Sequence, residues 1–312
     1  MLARSRGPLL RWFAPRRGAY PWRRTRDPYA ILVSEVMLQQ TQAARVVPAF
    51  ERFLSVFPSV EALASAARSD VVRAWGGLGY NRRAVALWLA ARELLSRDGG
   101  RVPADVPSLQ ALPGVGPYTA AAVASIAFGT PVAAIDTNVR RVVSRVVDTS
   151  DRSRIEAAAS EALDPADPGG WNQAVMDLGR EVCRPAPACD VCPIRSWCAS
   201  AGSVVVARQA SRLGSSFEGS TRQARGAVVR ALRAQPVMTL GRLSTAAAAR
   251  PALDRVDRRR ARARRRRPCR AGRSGRAASR PGAAGLTGGN AFREAARPTP
   301  QPRPRRPVPC ES

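Results

Sequence analysis

The sequence predicts an all-α fold. Apolar residues recur at helical spacing in successive segments before residue 200, as in the valines within residues 139–146. Helix-start signals precede several of these segments, as at Asp27-Pro28 and Ser59. No alternating polar and apolar stretch of useful length occurs before residue 200. A chain with helical periodicity and no strand pattern is expected to be built from packed helices.

The predicted helices follow one another from the N-terminus, separated by breaks that contain glycine or proline. The first lies within residues 1–20, which are rich in arginine and contain no acidic residue. The others are expected at Tyr29 to Gln40, Phe50 to Phe57, Val60 to Ala67, Ser69 to Trp75, Asn81 to Arg97, a short segment after Ser108, a segment that begins at Pro117, a segment that follows Asp136, Arg154 to Leu163, Trp171 to Val182 and, beyond residue 200, Thr221 to Arg233.

Glu35 stands in the middle of the predicted helix from Tyr29 to Gln40, which is apolar nearly all round. A helix of that kind is expected to be buried. The neighbours of Glu35 one turn away include Ile31, Leu32 and Leu38, and aliphatic surroundings disfavour the charged form of a carboxyl. We therefore expect a raised pKa, which suits a general acid near neutral pH. The alternative is an ordinary glutamate on an exposed face.

The segment LPGVGPYTA at residues 112–120 predicts two helices joined by a tight turn. Gly114 and Gly116 end the first helix, and Pro117 suits the first turn of the second. Backbone N–H groups in such a turn point at one spot, which suits a phosphate. The short apolar run 132–135 then leads to Asp136, whose carboxylate is a candidate catalytic group. The alternative is a structural turn followed by an aspartate that caps the next helix.

The composition excludes several kinds of chemistry. All 51 cationic side chains are arginines, because the chain contains neither histidine nor lysine. An imidazole base, a histidine metal ligand and a lysine Schiff base are therefore excluded, which leaves carboxylates, hydroxyls and thiols. No apolar run is long enough to span a bilayer, so we expect no membrane partner.

The net charge of +28 is unevenly distributed. Residues 1–200 carry 25 arginines and 18 acidic residues, whereas residues 201–312 carry 26 arginines and 5 acidic residues. From about Asp257 the chain has almost no aliphatic bulk, so residues 251–312 are expected to be disordered. Three interpretations of this tail remain open: a basic segment that binds nucleic acid, a disordered end without a role, and the product of a frameshifted reading frame.

Four of the six cysteines lie close together, at Cys183, Cys189, Cys192 and Cys198, with the spacing C-x5-C-x2-C-x5-C. Four thiolates in one short loop bind either a tetrahedral zinc ion or an iron–sulfur cluster, and they indicate a reducing compartment. Zinc sites more often use two separate C-x2-C pairs. The single pair flanked by single cysteines therefore favours an iron–sulfur cluster.

Six segments together resemble the MutY-type adenine DNA glycosylases, an iron–sulfur branch of the helix-hairpin-helix glycosylase superfamily. The resemblance covers about residues 8–200. It implies two helical lobes with DNA between them: a six-helix barrel with the hairpin at residues 22–131, and a cluster lobe formed by residues 1–21 and 132–202. Residues 203–250 are then a short, less regular helical segment. The six segments are PWRRTRDPY at 21–29, SEVMLQQTQ at 34–42, GLGY at 77–80, LPGVGPYTA at 112–120, DTNV at 136–139 and MDLGREVC at 176–183.

The resemblance also implies roles for individual residues. Glu35 matches the acid that protonates the target adenine after this base has flipped out of the duplex, and Asp136 matches the carboxylate that stabilises the oxocarbenium-like sugar. Tyr118 and Asn138 match residues near the reacting sugar, and Tyr118 stands where relatives with lyase activity carry a lysine. The other implied assignments are an adenine pocket at Trp22, Arg23 and Gln173, DNA contacts at Gln39, Gln40, Thr41, Tyr80, Gly114, Val115 and Gly116, and one 4Fe-4S cluster on Cys183, Cys189, Cys192 and Cys198.

The implied activity is hydrolysis of the N-glycosidic bond of adenine mispaired with 8-oxoguanine or guanine, in base excision repair and without lysine-dependent lyase activity. The implied protein is a cytoplasmic, nucleoid-associated monomer that binds double-stranded DNA, with a monovalent cation at the hairpin. Two alternatives remain open: a thymine- or uracil-mismatch glycosylase of the same superfamily, and a non-catalytic iron–sulfur protein that binds DNA.

Three features depart from the pattern of the resembled family. Five residues separate Cys183 from Cys189, one fewer than is usual in the family, and this difference could change the geometry of the cluster. Thr137 stands where glycine is common after the aspartate. The sequence also shows no strands for the C-terminal Nudix-like domain that helps full-length relatives to recognise 8-oxoguanine.

Overall fold

The computed structural model describes residues 2–203, 220–235 and 239–246. Within these residues the regular structure is helical and contains no strand, which confirms the all-α prediction. The helices are α1 Arg6–Phe13, α2 Pro28–Leu38, α3 Ala43–Val56, α4 Val60–Ser65, α5 Arg68–Ala74, α6 Arg82–Asp98, α7 Val106–Ala111, α8 Pro117–Phe128, α9 Thr137–Val146, α10 Arg152–Ala162, α11 Pro168–Glu181, α12 Thr221–Ala234 and α13 Leu240–Ala246.

Side-chain caps set the start of several helices. Asp27 accepts hydrogen bonds from two backbone amides of α2, and Ser59 accepts one from α4, as the sequence signals predict. Asp151 and Asp167 cap α10 and α11 in the same way. These two helices therefore begin two or three residues before the starts that their apolar periodicity predicted.

Several further helix boundaries differ from the sequence prediction, the largest difference being in α3, which spans Ala43–Val56. The helix α5 begins at Arg68, not at Ser69. Asn81 precedes α6, but its side chain makes no capping hydrogen bond. The helix α2 ends at Leu38 and does not reach Gln40, because the backbone of Gln40 is left-handed with φ 54° and cannot continue a right-handed helix.

One hydrophobic core is formed by residues between Trp22 and Ala134. At its centre α2 packs against α8, and both helices are buried along most of their length. The run of small residues at 120–124 is fully or almost fully buried and allows this close approach. The burial of α2 confirms the environment that the sequence predicted for Glu35.

A second hydrophobic core joins the N-terminal residues to the helices that follow the hairpin. Leu9 and Phe13 of α1 pack with the inward valines of α9, with Trp171 of α11 and with Ile194 in the cysteine segment. Helix α11 contacts α1, α8 and α9, so it borders both cores.

A buried asparagine fixes the segment that carries Asp136. Asn172 of α11 is fully buried, accepts a hydrogen bond from the amide of Ala134 at 2.9 Å, and donates to the carbonyl of Val132 and the hydroxyl of Ser125, each at 2.9 Å. These bonds hold the extended run between α8 and α9 in place, and Asp136 follows directly.

Beyond residue 203, α12 confirms the helix predicted from Thr221 to Arg233, and the hydroxyl of Ser220 caps it. The tail expected to be disordered, residues 251–312, lies outside the described residues. Among the helices that the structure describes, none has both the length and the apolar character needed to cross a membrane.

Candidate active site

A cavity of about 340 Å³ brings together most of the predicted site residues. Its lining comes from α2 and the residues just after it, from the segment before α2, and from α8, α9 and α11. Tyr80, Gly114, Val115 and Gly116 are not part of its wall. The predicted residues that line it are Glu35, Asp136, Tyr118, Asn138, Trp22, Arg23, Gln173, Gln39, Gln40 and Thr41, joined by Tyr20, Leu38, Gln42, Ala43, Met176, Asp177 and Arg180.

Glu35 is a buried residue in the wall of this cavity. Its exposed fraction is 5%, and burial raises its pKa from 4.5 to about 7. The hydroxyl of Tyr118 donates a hydrogen bond to Glu35 Oε2 at 3.0 Å, and this bond and the charge of Arg23 oppose the rise. The neighbouring charge of Asp136 adds to it. The raised pKa expected from the sequence is confirmed.

Asp136 combines a capping bond with a place in the cavity wall. Its Oδ1 accepts a hydrogen bond from the amide of Val139 at 2.7 Å and so caps α9. Its Oδ2 accepts a bond from Asn138 Nδ2 at 2.8 Å, and Asn138 Oδ1 in turn accepts a bond from Arg141 at 2.8 Å. The capping role considered from the sequence is therefore real, and the same carboxylate also faces the cavity that contains Glu35.

An ion pair and two stacked rings form another part of the wall. The guanidinium of Arg23 donates two hydrogen bonds, each 2.8 Å long, to the carboxylate of Asp177, and the side chains are only 6% and 2% exposed. The rings of Tyr20 and Trp22 stack with their centroids 5.0 Å apart. Sequence reasoning missed Asp177 and Tyr20. The motif MDLG contains Asp177, but nothing in the sequence links it to Arg23, 154 residues away.

The hairpin turn lies beside the cavity. Gly114 has φ 79°, and a Cβ at this position would lie 2.6 Å from the Cβ of Ala86, so glycine is required there. The amide of Val115 donates to the carbonyl of Leu112 within the turn, and its side chain is buried. The Val115 amide is therefore engaged in the turn. Gln39 Nε2 donates to the Gly114 carbonyl at 3.4 Å and connects the turn to the end of α2.

The four clustered cysteines line a second, small cavity. Burial raises the pKa values of the Cys192 and Cys198 thiols, and the backbone of Ile194 and of Ser200 donates hydrogen bonds that oppose this rise. Arg145 donates to Cys183 Sγ at 3.3 Å. Convergent thiols with cationic and amide donors suit sulfur in its charged, ligating form. Among the described residues no group of three or more His, Cys, Asp or Glu side chains has the arrangement needed for a single metal ion.

Both the sequence and the fold are similar to those of known DNA repair proteins. Residues 33–165 match the model of the HhH-GPD superfamily of base excision DNA repair proteins. The solved structure of a thermostable thymine-DNA glycosylase superposes with a TM-score of 0.59 and 31% identity, over 62% of this chain and 93% of that chain.

Two curated relatives define the similarity more closely. The adenine DNA glycosylase of Homo sapiens is 42% identical over 210 residues, which cover 62% of this chain and 38% of the human protein. The chain thus matches well under half the length of that relative. The adenine DNA glycosylase of Mycolicibacterium smegmatis is 41% identical over 237 residues, which cover 72% of this chain and 79% of that protein. On this likeness the chain belongs to the MutY-type adenine DNA glycosylase family of the HhH-GPD superfamily.

Proposed function

We propose that this chain is a monofunctional adenine DNA glycosylase that hydrolyses the N-glycosidic bond of adenine mispaired with 8-oxoguanine or guanine. The observation that carries the proposal is the pairing of Glu35, a buried carboxyl with a pKa near 7, with the Asp136 carboxylate in one cavity. Two carboxyl groups in different environments are a common means of breaking a glycosidic bond.

In the proposed mechanism the target adenine leaves the base stack and enters the cavity, since its glycosidic bond is inaccessible in the duplex. Protonated Glu35 donates its proton to the purine ring. The bond between C1′ of the sugar and N9 of the base then breaks, and its electron pair goes to the base. The developing positive charge on the sugar is stabilised by the Asp136 carboxylate. Water then adds its hydroxyl to C1′, and its remaining proton goes to the Glu35 carboxylate, which restores the acid. The products are adenine and an abasic site.

The groups around the two carboxyls support these roles. The hydroxyl of Tyr118 orients the carboxyl of Glu35, and Asn138 and the Val139 amide orient the carboxylate of Asp136. Oriented donors hold a catalytic group in its productive geometry before the substrate arrives. Because the chain has no lysine, no side-chain amine can form a Schiff base with the abasic sugar, and we expect the strand to stay intact after base release.

The proposed substrate contacts surround this centre. Trp22 and Gln173 would contact the flipped adenine, and Arg23, whose guanidinium is engaged by Asp177, would act through its charge. Gln39, Thr41 and the hairpin glycines Gly114 and Gly116 would contact DNA, with a monovalent cation at the hairpin carbonyls. Gln40 and Tyr80 would enter the base stack, and Tyr80 is 60% exposed. We expect these phosphate and base contacts to make binding sensitive to salt.

The four converging cysteines support a resident 4Fe-4S cluster on Cys183, Cys189, Cys192 and Cys198. When bound, such a cluster would tie the cysteine segment together through its iron–thiolate bonds. Iron and sulfide analysis of the purified protein tests this proposal, together with visible absorption. We expect Cys192→Ser to lose both signals, whereas bound zinc without iron would contradict the assignment.

The lobe organisation that we propose is that of the MutY-type family. We infer two lobes, residues 22–131 and residues 1–21 with 132–202, with the substrate duplex between them. Because that substrate is chromosomal DNA, we place the protein on the nucleoid in the cytoplasm and expect it to act as a monomer.

The Val115 side chain is buried, so any contribution of Val115 to DNA binding would come from its backbone.

An alkali-cleavage assay tests the proposed activity. Duplexes that carry adenine opposite 8-oxoguanine, guanine or thymine are incubated with the protein, and half of each sample is heated in alkali. We expect strand breaks only after alkali, with 8-oxoguanine and guanine as partners but not with thymine. Breaks without alkali would contradict the monofunctional assignment, and no breaks in any duplex would contradict the glycosylase activity.

Thymine excision is the second candidate, because the likeness to a thymine-DNA glycosylase covers nearly all of that chain. A duplex that carries thymine opposite guanine separates the two activities in the same assay. Release of thymine, with adenine retained, would favour the second candidate.

A further inference from the structure

Gln40 and Tyr80 both adopt a left-handed backbone conformation, although neither is a glycine. Gln40, just after α2, has φ 54°, and Tyr80, just before α6, has φ 48°. This conformation is unfavourable for residues that carry a Cβ, so the surrounding structure must maintain it. Both residues come from segments far apart in the chain, and both are proposed above to enter the base stack.

One guanidinium joins these two segments. Arg83 lies in the first turn of α6, and its Nη1 donates to the carbonyls of Val36 at 3.0 Å, Met37 at 2.8 Å and Gln39. These carbonyls belong to the C-terminal end of α2, where a helix leaves its last carbonyls without backbone partners. Arg83 therefore supplies hydrogen-bond donors to the free carbonyls at the end of α2, immediately before Gln40.

The same guanidinium also holds the other segment. Its Nη2 donates to the hydroxyl of Thr41 at 2.9 Å and to the carbonyl of Gly79 at 3.4 Å. The carbon Cζ of Arg83 lies 5.5 Å from the ring centroid of Tyr80 and 5.5 Å from that of Trp75. Gln39 and Thr41, on the two sides of Gln40, thus share one half-buried cationic group with Gly79, which directly precedes Tyr80.

We propose that Arg83 is a positioning residue: its planar guanidinium locks the end of α2 and the GLGY turn into one unit and presents the Gln40 and Tyr80 side chains together to the DNA base stack. The role of these two side chains rests on the proposed function. The locking itself is a property of the free protein and does not depend on which base is removed. Lysine cannot replace this guanidinium, because a point charge lacks its fixed fork of donors.

The test compares Arg83→Met and Arg83→Lys with Arg82→Met. Arg82 is the exposed neighbour on α6, so its replacement removes the same charge without removing the fork. Hydrogen exchange in the free protein is followed at residues 38–42 and 77–81. Single-turnover adenine release and the fluorescence of 2-aminopurine placed at the target position report the state of the DNA. Unfolding midpoints are measured for all variants.

For both Arg83 variants we expect exchange in the two segments to become at least about 10-fold faster, with the rest of the protein unchanged. Base release should fall roughly 100-fold, and the rise in 2-aminopurine fluorescence on binding should be lost, while affinity for a fully paired duplex changes less than about 3-fold. Arg82→Met should leave exchange and base release at the wild-type level. Should Arg83→Met fail to fold, Arg83→Lys supplies the same readouts.

Unchanged exchange in the two segments overturns the inference, and so does faster exchange with wild-type base release and fluorescence. Equal effects of Arg82→Met and Arg83→Met would assign the effect to charge alone and would also overturn it. If the wild-type protein released no adenine, the proposed function would fail, and the exchange measurement by itself would decide whether Arg83 locks the two segments.

Discussion

Glu35→Gln separates the catalytic and the energetic consequences of burying a carboxyl. In the folded protein the pKa of Glu35 is about 7, whereas in the unfolded chain, where the side chain is exposed, it is near 4.5. Between these values the folded state binds more protons than the unfolded state, so the free energy of unfolding falls as pH rises. The difference between the two pKa values corresponds to roughly 3 kcal/mol in the free energy of unfolding. This contribution is present below about pH 4.5 and is lost as the pH rises through about 7.

Glutamine keeps the shape of the side chain and the hydrogen-bond acceptor for Tyr118, but it cannot ionise or donate the proton. We therefore expect Glu35→Gln to bind DNA and release no adenine. Its free energy of unfolding should match the wild type within about 1 kcal/mol at pH 4 and exceed it by up to roughly 3 kcal/mol at pH 8.5. Urea unfolding at both pH values and single-turnover base release measure these effects.

Glu51→Gln is the matched control, because Glu51 is exposed on α3, and we expect neither its stability nor its base release to depart from wild type. Wild-type adenine release by Glu35→Gln would refute the acid assignment. An equal stability difference at pH 4 and pH 8.5 would refute the argument from burial.

Three further substitutions probe the partners of the two carboxyls. Tyr118→Phe removes a hydrogen bond that lowers the pKa of Glu35, so the high-pH limb of the pH–rate profile should move to higher pH by roughly one unit; an unmoved limb would contradict this. Asp136→Asn retains a capping side chain but loses the charge, so base release should fall roughly 100- to 1,000-fold while the free energy of unfolding changes by less than about 1 kcal/mol. A large loss of stability with wild-type base release would show that Asp136 serves only as a cap. Asp177→Asn leaves Arg23 buried without its counter-charge and should cost about 3–5 kcal/mol in urea unfolding; a cost under about 1 kcal/mol would show that the pair is not essential.

The sequence was most informative where a signal is local. Asp27 and Ser59 cap helices as predicted, because a cap depends on a few neighbouring backbone groups. The raised pKa of Glu35 was predictable for the same reason, since its neighbours one turn away on α2 are aliphatic. The left-handed backbone at Gln40 was not predicted, because the group that maintains it, Arg83, lies 43 residues further along the chain.

The sequence by itself determined the helical class, the position of the hairpin turn and the types of group available for chemistry, because periodicity, capping residues and composition act within a few residues of one another. Only the tertiary structure decided that Glu35 and Asp136 line one cavity, that Asp177 forms an ion pair with Arg23, and that Arg83 joins the end of α2 to the turn before α6. Each of these relations joins residues from different helices. Their distances depend on how the helices pack, and the spacing of residues along one chain does not encode that packing.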